Sequence, residues 1–156
     1  MKELRHFMRD IKFRAWDKQN KRYEYDIQDA DLSETERSME RFGDYFPSEF
    51  NGKLYDDFDI EQYTGLKDKN GKEIYEGDII KIHTHYIFYG TDVDDWDDEH
   101  ALVEWSEEYG GFFIYGETPL WEVLFEGNPK DGFYHDYPEV VGNIHENPEL
   151  LEEDDD

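Results

Sequence analysis

The chain has 156 residues, no cysteine and a formal net charge of −26. That length suits one compact domain or two very small ones, and the missing thiols exclude a disulfide framework and any thiolate metal site. No window approaches the ~18–20 apolar residues of a membrane helix, and Met1 to Asp10 is charged throughout, without the apolar core of a signal peptide; a soluble, cytoplasmic protein with no membrane partner is expected. The charge is unevenly placed. Residues 1–22 hold eight basic residues against three acidic ones, whereas residues 82–156 hold Lys130 against 22 acidic ones. A tract of that sign repels phosphates, so direct nucleic-acid binding is not expected. Its natural complement is a basic protein, either foreign or the N-terminus of a second copy in a homo-oligomer.

In chain order, the first predicted element is a β-hairpin over residues 10–27. Ile11, Phe13 and Ala15 alternate with Lys12, Arg14 and Trp16, Asp17 to Lys21 is turn-like, and Tyr23, Tyr25 and Ile27 resume the alternation. The basic side chains fall on its outer face and turn, with Trp16 among them. Ser33 to Phe42 has a capping box (Ser33, Glu36), Glu34 near its start, Arg37 and Arg41 toward its end, and Gly43 as a stop. It predicts one short surface helix in a helical or loop insertion of about residues 30–60. Tyr63 to Leu66 reads as a short strand, Asp68 to Gly71 as a tight turn, Glu76-Gly77-Asp78 as a second turn, and Ile79 to Phe88 as a long β-branched and aromatic strand.

Residues 92–99 hold six carboxylates, and repulsion at that density predicts a solvated loop. Ala101 to Trp105 and Phe112 to Tyr115 flank a Glu-Glu-Tyr-Gly-Gly turn as a second hairpin. Pro119 to Phe125 is open between strand and helix, and Asn128 to Asp136 reads as loop. Val140 to Ile144 is a strand, followed by a helical turn with Asn147 as N-cap and Pro148 at its first position. With aromatics at 17% of residues, the sum is an all-β fold with minor α content. The expected architecture is a small SH3-like, partly closed barrel with extra β-hairpins, as a single domain over residues 1–151, then an acidic tail at 152–156.

Three blocks, Ile11 to Lys18, Gln62 to Ile82 and Val140 to Leu151, together resemble the signature of the YopX-like proteins of temperate phages and prophages. The resemblance implies a β-rich accessory protein acting in a bacterial host's cytoplasm. It implies no activity, cofactor or catalytic residue.

Most of the chemistry-bearing side chains have a plainer role. A calcium loop begun at Asp92 places Trp96 at a ligand position, Asp97 at the glycine position and Val103 at the closing carboxylate, so the pattern fails three times. Asp68-Lys69-Asn70-Gly71 is accounted for as a turn. His83 and His85 share a strand face, and His100, His135 or His145 could complete a zinc or manganese site on them, but nothing fixes which third residue converges; Asp92 and Asp94 are the remaining metal candidates. No nucleophile elbow, phosphate loop or dinucleotide fingerprint occurs. No metal, cofactor or catalytic residue is assigned, and a non-enzymatic protein is expected.

Trp16, Trp96, Trp105 and Trp121, with Tyr86, Tyr89 and Tyr109, exceed what a small core hides. Aromatics favour interfaces. The interaction residues assigned are Lys12, Arg14, Trp16, Tyr63, Tyr86, Trp96 and Trp105. The expected function is protein binding or self-assembly. One alternative is an acidic DNA mimic directed at a host DNA-binding protein, which needs ordered carboxylates; the other is a divalent-metal-dependent enzyme.

Overall fold

Side-chain alternation and tight turns give strands nearly everywhere the chain is described. The computed structural model describes residues 10–27, 58–87, 94–124 and 133–152. The helix expected over Ser33–Phe42, Asp92 and residues 153–156 of the tail lie outside them. The strands are β1 (Phe13–Asp17), β2 (Arg22–Tyr25), β3 (Phe58–Lys67), β4 (Glu73–Tyr75), β5 (Asp78–Ile87) and β6 (Asp94–Leu102). They continue with β7 (Glu104–Ser106), β8 (Gly111–Ile114), β9 (Thr118–Pro119), β10 (Phe133–His135) and β11 (Glu139–Asn143). One four-residue helix, α1 (Leu120–Val123), and a 3₁₀ turn (Pro148–Leu151) complete the described elements. The fold is all-β with a minor helix, and a sheet curls as half of a barrel.

The chain divides within β3 into two units, Met1–Tyr63 and Thr64–Asp156. In the first, β1 pairs antiparallel with β2 (Trp16 opposite Tyr23) and, on its other edge, with the start of β3 (Ala15 opposite Ile60). Asp17 closes the β1–β2 turn. Its Oδ1 accepts the backbone N–H groups of Gln19 and Asn20, each at 2.9 Å, and its Oδ2 accepts the Asn20 side-chain amide at 2.6 Å. Burial pushes this carboxyl up, but the bonds from Asn20 and Gln19 outweigh it and hold the group below its ordinary 3.8. The hairpin forms as expected, but its basic outer face does not. Arg14 is 3% exposed and Trp16 4%, so both faces of β1 are covered and alternation does not sort inside from outside.

In the second unit β5 is the central strand. One edge pairs with β6 from Ile79–Leu102 to Ile87–Asp94. The other edge is shared by β11, opposite Asp78 to Lys81, and β10, opposite Thr84 to Tyr86. The pleat turns Ile80 and Ile82 of β5 and Ala101 of β6 into a core with Ile74, Val103, Ile114, Leu120 and Val140. Full burial of each such branched side chain contributes about 1.5–3 kcal/mol. A three-stranded sheet, β7-β8-β9, follows, and Phe112 of β8 packs against the same core.

Two expected loops are strands. Residues 94–99 form most of β6, because each has a cross-strand partner on β5 and the carboxylates between Asp95 and Asp98 remain exposed to water. Residues 133–135, expected as loop, form β10. Of the ambiguous Pro119–Phe125 stretch, Pro119 ends β9 and Leu120–Val123 form α1, with Leu120 and Val123 inward; Phe125 lies outside the described residues. Asn147 does not cap the final turn with its side chain.

Candidate functional site

The polar residues of the three sequence blocks hold the backbone together. Asp68 is buried; its Oδ1 accepts N–H of Asn70 and Lys72 at 2.8 and 2.9 Å, and its Oδ2 accepts N–H of Val140 in β11 at 3.0 Å. Asp78 is buried and accepts N–H of Tyr75 at 2.8 Å across the Glu76-Gly77 turn, where Gly77 takes φ +83°. The same turn donates from Gly77 N–H to the Val103 carbonyl and accepts Ile144 N–H on the Gly77 carbonyl. Asn143, opposite Asp78, accepts N–H of His145 and Glu146 at 3.0 Å each and donates to the Glu146 carboxylate at 2.7 Å. These groups stitch the second block to the third.

In the first unit, Arg14 donates from Nε to Glu61 Oε2 at 2.7 Å, with both side chains buried. Its guanidinium lies 4.1 Å from the Tyr23 ring centroid, and Tyr23 donates to the other Glu61 oxygen at 3.4 Å. Lys12 sits 5.4 Å from the buried Tyr63 ring, Lys18 pairs with Asp59 at 2.9 Å, and Arg22 pairs with Glu24 at 2.9 Å. Three assigned interaction residues, Arg14, Trp16 and Tyr63, are therefore interior. The assignment is corrected for them: burial removes them from any partner's reach.

On one face of β5–β6, the Trp96 indole stacks on both His83 and His85, each at 4.3 Å between centroids and within 15° of parallel. Asp98 accepts from His83 Nδ1 and pairs with Lys81 at 3.4 Å. The His83 bond first, then Lys81, holds the Asp98 carboxyl below 3.8. The imidazoles thus serve an indole and a carboxylate. Among the described residues no group of three His, Asp or Glu converges as metal ligands.

The opposite face carries Asp95, Asp97 and Glu99 in a row. Burial, then the Glu99 and Asp97 charges, push the half-buried Tyr86 phenol up. Tyr115 donates to Glu99 at 3.1 Å, which joins this row to the β7–β9 region. There, residues 104–122 expose Trp105, Tyr109, Tyr115 and Trp121 and the five glutamates 104, 107, 108, 117 and 122, with no Lys, Arg or His in the stretch. Tyr109 stacks on Phe113 at 5.1 Å, and Trp105 packs edge-on against Phe112 at 5.2 Å. Trp96 and Trp105 are exposed as their assignment needs. Tyr115 was missed; its left-handed φ of +54° before Gly116 lifts it out of the strand, and its neighbour Gly116 was the available signal.

No curated protein matches the chain. Among solved structures, the crystal structure of protein EF1440 from Enterococcus faecalis is similar: 24% identity over 92% of this chain and 99% of that one, with a TM-score of 0.49. The YopX protein family model matches residues 12–152, which take in the second and third sequence blocks whole and the first from Lys12 onward, and reach into both units; this chain belongs to the YopX family.

Proposed function

We propose that this protein is a non-enzymatic binding module, a phage or prophage accessory protein of the bacterial cytoplasm, that takes a basic protein on the acidic, aromatic surface of its second unit. One observation carries the reading: residues 104–122 expose four aromatic rings among five glutamates without one cation. Aromatic anchors supply interface area, and the carboxylates steer a basic partner. The buried signature carboxylates support it as well, since their oxygens already accept backbone amides. A second copy is the less favoured partner. Lys12, Arg14, Lys18 and Arg22 of the basic segment are already engaged within their own unit.

A second reading, the DNA mimic, draws support from β6. Its carboxylates belong to a paired strand, and side chains two apart on a strand stand about 6.7 Å apart, close to twice the ~3.4 Å rise per phosphate of one DNA strand. Asp95, Asp97 and Glu99 share that spacing on one face.

The test is affinity capture from host lysate at low salt, identification of the eluted proteins, and rebinding of the purified partner. The expected partner is basic, binds with salt-sensitive affinity, and is lost to a Trp105→Ser/Trp121→Ser variant. Equal recovery by that variant, or recovery of no basic protein, refutes the reading. Displacement of the partner by duplex DNA selects the mimic. Gel filtration at low and high salt addresses the second copy.

A further inference from the structure

We infer that the outer face of the β7–β8–β9 sheet reads arginine, not merely positive charge, in the partner; this rests on the protein-binding function proposed above. The face has a built geometry. Glu104 of β7 lies directly opposite Phe113 of β8, and Phe113 lies opposite Pro119 of β9, so these three side chains share one side of the sheet. Tyr109, 59% exposed at the hairpin tip, stacks on Phe113 with ring planes 30° apart. The tip is held by Gly110 N–H donating to the Ser106 carbonyl at 2.8 Å and by Tyr109 N–H donating to Ser106 Oγ at 3.3 Å. Glu107 and Glu108 are exposed beside it, and among the described residues none of these three glutamates is in an ion pair.

An aromatic shelf rimmed by carboxylates suits guanidinium. The planar cation lies flat on a ring while its N–H fork grips a carboxylate through two parallel bonds, and an ammonium group can do only the electrostatic part. The chain's own arginine follows this pattern internally, where Arg14 lies over Tyr23 and bonds Glu61. The occupant is therefore an arginine-bearing segment of a foreign basic protein, chosen by charge complementarity.

Octa-arginine and octa-lysine peptides, titrated by fluorescence anisotropy at about 0.15 M salt, test this. Octa-arginine is expected to bind about tenfold more tightly, as stacking and bidentate bonding add to equal charge. Tyr109→Ala and, separately, Glu107→Gln/Glu108→Gln should collapse that ratio toward one. The equal-charge control Asp95→Asn/Asp97→Asn should lower both affinities and preserve the ratio. Equal binding of the two peptides to the wild type, or a ratio unmoved by both tip variants, overturns arginine reading. Should the captured partner still bind in that case, the protein-binding function stands without it; loss of both removes the two together.

Discussion

Asp68 receives three backbone N–H groups on one carboxylate. Hydrogen bonds to a charged group contribute ~1.5–3 kcal/mol each, and buried donors left without an acceptor cost more than the mean suggests. Asp68→Ala should therefore lower the unfolding free energy by about 3–5 kcal/mol, with Asp68→Asn less severe, as read from urea titrations. Part of this role is legible in sequence: Asp-Lys-Asn-Gly is turn chemistry, and two of the amides lie in it or directly after it, on Asn70 and Lys72. The third, on Val140, is 72 residues away, and no local pattern encodes it. The burial of Arg14 is not legible in sequence for a similar reason, since Glu61 becomes its neighbour only when β3 pairs with β1. Removing one partner of a buried pair strands the other charge, so Arg14→Ala should cost about 3–5 kcal/mol while an Arg14→Met/Glu61→Leu double variant costs much less. The Asp98 carboxyl gives a pH test. Its folded value lies below 3.8, chiefly through His83. Its contribution is thus complete above that value and disappears as pH falls through the lowered one. NMR titration should place its midpoint below 3.8, and His83→Gln should return it toward 3.8; an unchanged midpoint in the variant would remove His83 as the cause.

Among elements, β11 carries a bulge between Val140 and Gly142. A Cβ added at Gly142 would meet Asn147 Oδ1 at 2.6 Å and its Cβ at 2.8 Å. Overpacking of this kind typically costs about 1–3 kcal/mol. Gly142→Ala should show that loss in thermal unfolding, and a Gly142→Ala/Asn147→Gly double variant should recover part of it, offset by the lost Asn143 N–H bond to Asn147. Strand and turn chemistry made β1, β2, β5, β8 and β11 readable, because β-branched or aromatic alternation and Asp/Gly turns are local signals. β6 was not readable at its acidic end. Charge density along one strand argues for a loop, but relief comes from water, to which residues 95–98 stay exposed, and from the facing strand, where Lys81 and His83 both engage Asp98. The exposed shelf was partly legible as an aromatic excess; which rings end outside depends on the pairing of β7, β8 and β9.

At the scale of the whole molecule, a net charge of −26 opposes compaction by self-repulsion, which added salt screens within a Debye length of ~10 Å at 0.1 M. Melting temperature should rise by several degrees between about 0.02 and 0.5 M sodium chloride. A flat profile would mean that paired and hydrated carboxylates have already relieved the repulsion. The sharing of β5 has a kinetic sequel during synthesis. Its partners β10 and β11 begin at Phe133 and Glu139, so a growing chain that has already zipped β5 to β6 presents an open strand border until residues 133–143 have left the ribosome. Closing such distant pairings is slow compared with making a hairpin, and a nascent border of this kind invites pairing with other chains. Truncation just before β10 should yield aggregates whose formation is suppressed by adding residues 133–152 as a separate peptide.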